Sequence, residues 1–130
     1  MTWREQLLQA RDEGYDVLDW LSASDDPLTL TACLIRSEDP TQTRLIHANP
    51  PVESVADLFA SAAWHERETH EMFGVEFVGL QPRPLLLPSA AQPPLRKATP
   101  LDSRVEQAWP GAVDPAKPRR QQSPPGTPWL

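Results

Sequence analysis

The run Glu66-Arg67-Glu68-Thr69-His70-Glu71-Met72-Phe73-Gly74-Val75-Glu76-Phe77 changes character halfway along. Dense alternating charge gives way at Met72-Phe73 to apolar residues and a glycine. Glu66 and His70 stand four apart, as do Arg67 and Glu71, so each pair can meet on one face of a helix. Gly74 supplies the left-handed residue that closes such a helix, and Val75 can then fold back on the last turn. A helix this charged, ending in two large apolar residues, suits a surface that another protein covers.

On the N-terminal side, Ser54 opens a helical stretch with Val55, Leu58, Phe59 and Ala62 on one face, and Ala63-Trp64 marks a bend before the charged helix. Asn49-Pro50-Pro51 stops whatever precedes it. Before that stop, residues 43–48 read as a strand. Residues 28–36 read as another, alternating Leu28, Leu30, Ala32 and Leu34 against Thr29 and Thr31. The two pair as an antiparallel hairpin through the Asp39-Pro40 turn. Residues 15–22 form a first strand, with Trp20 and Cys33 as core residues and Ser24 to Pro27 as a turn. Thr2 and Glu5 make a capping box for an N-terminal helix carrying Trp3, Leu7, Leu8 and Ala10, which Gly14 ends. The order α-β-β-β-α defines an α+β body over residues 1–80, a small mostly antiparallel sheet with helices on one face.

Beyond the body the composition shifts. Twelve of the 16 prolines lie in residues 82–130, and the charge reverses there. Residues 1–81 carry a net −10 and residues 82–130 a net +4. Residues 81–130 are therefore expected to form a long extended Pro-rich arm, ordered only against a partner and anchored by aromatics such as Trp109. An acidic body argues against nucleic acid, whose phosphates need a concentrated basic face. No apolar run approaches the ~20 residues that span a bilayer. Met1 to Glu5 lack the apolar core of a signal peptide, so a soluble cytoplasmic chain is expected.

Little in the chain points to catalysis. His65 and His70 are five apart, about 140° around a helix, and are poorly placed to chelate one ion together as histidines four apart would. The single Cys33 cannot build a thiolate metal site, and the five glycines are isolated rather than gathered in a phosphate loop. A free-standing enzyme using His70 with Glu66 or Glu71 as an acid–base pair would need a companion group that is not visible. An adaptor acting through its Pro-rich arm alone is a further alternative.

Residues 64–79 resemble the signature of the 30 kDa subunit of respiratory NADH dehydrogenase, which is the C subunit of bacterial NADH:quinone oxidoreductase (complex I). That signature has Glu-Arg-Glu, two free positions, an acid, two large apolar residues and, after six free positions, a His or Lys. Glu66, Arg67, Glu68, Glu71, Met72 and Phe73 fit it, as do Pro84, Leu86 and Leu87 further on, whereas Leu80 occupies the basic position. Pro94-Leu95-Arg96-Lys97 is similar to a downstream family element, and Tyr15 to Asp19 with Asp25 to its first strand and turn.

The resemblance implies a non-catalytic subunit of the hydrophilic arm, docked on the large quinone-site subunit beside the small iron–sulfur subunit. It would lie peripherally on the cytoplasmic side of the cell membrane, touching the membrane only through the complex. It would bind no cofactor itself, with iron–sulfur clusters and flavin, or nickel–iron, on partner subunits. Partner contacts would come from Trp64, Glu66, Arg67, Glu68, Glu71, Met72, Phe73, Arg96, Lys97 and Trp109. Group 4 membrane-bound [NiFe] hydrogenases and formate- or ferredoxin-linked complexes contain a similar subunit, so the resemblance leaves both branches open.

Overall fold

In a computed structural model, which describes residues 1–81, 83–87, 92–101 and 116, two helices cover one face of a three-stranded sheet. Helix α1 (Trp3–Asp12) starts as its capping box requires: Thr2 Oγ1 accepts from the Glu5 amide, and Glu5 Oε2 accepts from the Thr2 amide. Trp3, Leu7 and Ala10 recur at helical spacing and are buried, whereas Leu8 lies off that face and is exposed. Helix α1 closes as the Tyr15 amide reaches the Ala10 carbonyl. Asp16 is then held by Ser37, whose amide and hydroxyl both donate to its carboxylate. Those two residues are used in leaving the helix, so strand β1 begins at Val17 rather than at residue 15.

Strands β1 (Val17–Ser24), β2 (Thr29–Ile35) and β3 (Thr43–Ala48) form an antiparallel meander in that order. Leu30, Ala32 and Leu34 of the central strand point into the core, as their alternation predicts. A β-bulge at Asp19 changes the parity of β1, because Leu18 pairs with Leu34 while Trp20 pairs with Cys33. Simple alternation from Leu18 would send Trp20 inward. The extra residue instead turns Leu21 and Ala23 to the core side and leaves Trp20 partly exposed on the outer face, beside the buried Cys33. The expectation of a core Trp20 is thereby corrected.

Two further strands are too short to show any periodicity. Strand β4 (Val52–Glu53) and strand β5 (Phe77–Val78) pair in parallel, separately from the meander, with Val52 and Phe77 turned into the core. A parallel pair needs a crossover, and helix α2 (Ala62–Phe73) lies within it. This pair is a second, parallel sheet beside the mostly antiparallel one expected from sequence.

The helix expected from Ser54 does not run continuously into α2. Residues 54–61 make turns, with the Leu58 and Phe59 amides both returning to the Val55 carbonyl. Ala63 and Trp64 sit inside α2 rather than at a bend. Twelve residues of unbroken helix rise about 18 Å, yet Ser54 Oγ lies 2.6 Å from Glu66 Oε2. The chain must double back to make that contact. Val55, Phe59 and Ala62 are buried all the same and join one core with α1, the meander and β4–β5.

Leu34, fully buried at the centre of the meander, and Leu45, 54% exposed on its outer face, test this layering. Leu34→Ala is expected to lower unfolding free energy by about 2–5 kcal/mol. Leu45→Ala should change it by less than about 0.5 kcal/mol, and urea denaturation of the full chain reads both.

Candidate partner-docking site

Helix α2 bonds to different segments through its two sides. On its inner side Glu66 is fully buried, with Oε2 accepting from Ser54 Oγ (2.6 Å) and Oε1 from the Val55 amide (2.7 Å). Burial pushes its pKa above the ordinary 4.5 of a glutamate, against the opposing pull of those two donors. Arg4 of α1 holds the same loop from outside, donating to the Ser54 carbonyl (3.2 Å) and gripping the Asp57 carboxylate with both terminal nitrogens. That guanidinium brings Asp57 down to about 2. The expected pairing of Glu66 with His70 is absent. His70 Nδ1 instead donates to the Val75 carbonyl at 2.9 Å across the helix end. Glu66 therefore fastens this chain to itself and offers no side chain to a partner.

On the outer side, Trp64, Arg67, Glu68 and Glu71 follow at helical spacing. Trp64 is 62% exposed, with the Arg67 guanidinium 5.0 Å from its ring centre. Arg67 Nη2 donates to the Pro84 carbonyl at 3.4 Å. Glu68 is exposed. Rather than pairing with Arg67, Glu71 accepts from three successive backbone amides, those of Leu85 (3.1 Å), Leu86 (2.7 Å) and Leu87 (3.0 Å). Burial alone would raise its pKa, but the three amides outweigh it and the net direction is down.

The end of α2 is a second attachment point for the arm. The Leu95 amide donates to the Met72 carbonyl at 2.9 Å, and Arg96 Nη1 to the Phe73 carbonyl at 3.2 Å. These satisfy carbonyls that a helix C-terminus leaves open. Arg96 Nε also meets Asp25 Oδ2 at 3.0 Å, and the Lys97 amide donates to the same oxygen at 2.8 Å. The Lys97 amide first, then the Asp26 amide and Arg96, hold Asp25 below the usual carboxylate range. Gly74 is left-handed with φ 72°, and a Cβ there would come within 2.9 Å of Pro93 Cγ. Glycine is thus required both by the helix closure and by the approach of the arm.

The described parts of the arm accordingly lie on this chain's own body, where the sequence suggested order only against a neighbour. Of the candidate contact residues, Trp64 and Glu68 project outward, while Glu66 points in. Arg67, Glu71 and Arg96 bind the arm to the body through their side chains, and Met72, Phe73 and Lys97 do so through backbone groups. Met72 and Phe73 are half-buried, and the Lys97 side chain is exposed. Trp109 and most of the arm beyond residue 101 lie outside the described residues. Sequence reading missed Asp25 as the partner of Arg96, because the two stand 71 positions apart. The only signal was that each belonged to a family-like segment. At Leu80, where the family signature has His or Lys, the side chain packs against the core. Among the described residues no three His, Cys, Asp or Glu side chains gather as a metal-ligand set.

An α+β body whose acidic helix clasps a Pro-Leu-rich arm is the arrangement that the sequence signature encodes. The chain belongs to the family described as respiratory-chain NADH dehydrogenase, 30 Kd subunit, which matches residues 2–105. It is 50% identical over 54 residues to the C/D subunit of the NADH-quinone oxidoreductase of Rhodopseudomonas palustris, covering 39% of this chain and 9% of that one. It is 39% identical over 59 residues to the C subunit of the F(420)H(2) dehydrogenase of Methanosarcina mazei, covering 43% of this chain and 37% of that one. Against the C subunit of the NADH-quinone oxidoreductase of Roseiflexus castenholzii it is 44% identical over 55 residues, 41% and 32% of the two chains. The matched segment thus spans about a tenth of the C/D protein and about a third of the other two. Among the described residues no helix is long and apolar enough to cross a membrane.

Glu66 yields a pH prediction with a definite sign. Its raised folded pKa means that the folded chain holds this proton more tightly than the unfolded chain. Its contribution to stability is full below the ordinary 4.5 and is lost as pH rises through the higher folded value. Glu66→Gln is expected to remove that decline while keeping contact with Ser54 and Val55. Glu66→Leu strands both donors, at about 1–3 kcal/mol each. Thermal melts of the three proteins between pH 4 and 8 check both statements.

Proposed function

We propose that this chain is a non-catalytic structural subunit in the hydrophilic arm of a proton-translocating NADH:quinone oxidoreductase of the complex I type. Its place is against the large quinone-site subunit and beside the small iron–sulfur subunit, peripheral to the cytoplasmic side of the cell membrane. Flavin and iron–sulfur clusters belong to the partner subunits. This chain contributes a rigid acidic body and an arm. The observation that carries the reading is the family match over residues 2–105, together with the use of the signature residues. They fasten segments of backbone rather than line a reaction site: Glu66 holds the 54–55 loop, Glu71 holds residues 85–87, and Arg67 reaches Pro84. The relatives' names support assembly into a multisubunit oxidoreductase, and one of them has F(420)H(2) in place of NADH.

The equivalent subunit of a group 4 [NiFe] hydrogenase or of a formate- or ferredoxin-linked complex is the second reading. It is favoured by Leu80, which replaces the basic residue of the respiratory signature with an apolar contact.

Purification of the native complex through a tag on this chain is expected to recover the large subunit at equal stoichiometry. The isolated chain should show no chromophore and no turnover. Arg67→Glu sets a third carboxylate beside Glu68 and Glu71 and abolishes both the Trp64 stack and the bond to Pro84. The variant should therefore loosen the arm from helix α2 and lower recovery of the subunit with the complex. Recovery of Arg67→Glu at normal stoichiometry would overturn docking through this helix.

A further inference from the structure

Three consecutive amides converging on one carboxylate fix the backbone of Leu85, Leu86 and Leu87. Yet Leu86 remains 59% exposed and Leu87 40% exposed. Hydrogen bonds to a charged group are stronger than neutral ones. Here they hold apolar side chains in water, which brings the isolated chain no burial. Trp64 extends the same surface, joined to it through Arg67, which stacks on the indole and bonds the Pro84 carbonyl. Exposed, preordered apolar side chains are what an interface hot spot needs, because less freedom is lost on binding.

We infer that Glu71 is a positioning residue: it presets Leu86 and Leu87 as an apolar ledge, flanked by Trp64, that seats an apolar surface of the large subunit. The inference rests on the reading proposed above and names the contact it leaves open. Two observations select the large subunit as occupant. The relative from Rhodopseudomonas palustris carries the double designation C/D, which names two subunits in a single chain and supports close association of the two. The ledge also rises from a body of net charge −10 over residues 1–81, with Glu68 exposed beside Trp64, so the seat must be apolar with a basic rim. Trp20 and Leu45, side by side across Cys33 on the outer face of the meander, form another exposed apolar patch, ordered by strand pairing and remote from the arm. That patch serves as the internal control.

The test uses the tagged full chain in its native complex. Leu86→Ser with Leu87→Ser is expected to reduce recovery of the large subunit at least tenfold, with the melting temperature of the isolated chain unchanged. Trp64→Ala, at an exposed position, gives a second probe and should reduce recovery several-fold. Glu71→Gln should accelerate hydrogen exchange at the Leu85, Leu86 and Leu87 amides and lower recovery, while core amides keep their protection. Leu45→Glu should leave recovery intact. If wild type recovers the large subunit and the double variant and Trp64→Ala do so equally well, the ledge is wrong and the proposed function stands. If wild type recovers none, both fall. Loss of recovery in Leu45→Glu equal to that in the double variant, or unchanged amide protection in Glu71→Gln, also overturns the inference.

Discussion

The buried carboxylate of Glu66 sets the path of the chain between the meander and helix α2. Its two oxygens hold Ser54 and Val55, twelve and eleven residues upstream, so the intervening segment turns back instead of running on as helix. That reversal lets β4 lie beside β5 across the crossover, and it brings Val55 and Phe59 into the same core as Leu7 and Leu34. Arg4 fastens the loop from the α1 side, so both helices grip one short segment. A buried carboxylate is destabilising unless donors reach it, and here Ser54 and Val55 supply one to each oxygen, offsetting part of the burial cost.

Much of the acidity that suggested an outward ionic surface is used internally. Asp16, Asp25, Asp39, Glu66 and Glu71 each accept a hydrogen bond from at least one backbone amide that the helices and strands leave free. Such acceptors are stronger than neutral ones, and most of these groups are held below their ordinary pKa. Their contribution is present above the unfolded carboxylate range and is lost as pH falls through the depressed values. Glu66 runs the opposite way, because its burial outweighs its donors. The signature of this family thus combines two kinds of acid. One closes the body and the other ties down the arm.

The arm contacts join three separate parts of the body to the described arm residues. Gly74 lets Pro93 approach, the last turn of α2 gives its carbonyls to Leu95 and Arg96, and Asp25 takes Arg96 and Lys97 from the far side of the turn after β1. These contacts hold residues 92–97 against the end of helix α2 and the turn after β1. Trp64, Glu68, Leu86 and Leu87 then remain on the outside, beside α2.

Local features were legible from the residues alone. The Thr2–Glu5 capping box, the inward Leu30, Ala32 and Leu34, the closure at Gly74 and the α+β class each depend on neighbours within a few positions, where helix and strand periods act. The family followed from a short motif with fixed spacing. Which way each motif side chain faces was decided by tertiary structure. Glu66 turns inward because a loop needs its oxygens, and Trp20 turns outward because the Asp19 bulge reverses the strand's parity. The two-residue strands β4 and β5 exist only because each has the other, and Asp25 finds Arg96 only when the fold closes the distance. Periodicity encodes which residues share a face. Contacts between remote segments determine what that face meets, and those depend on the whole chain being folded at once.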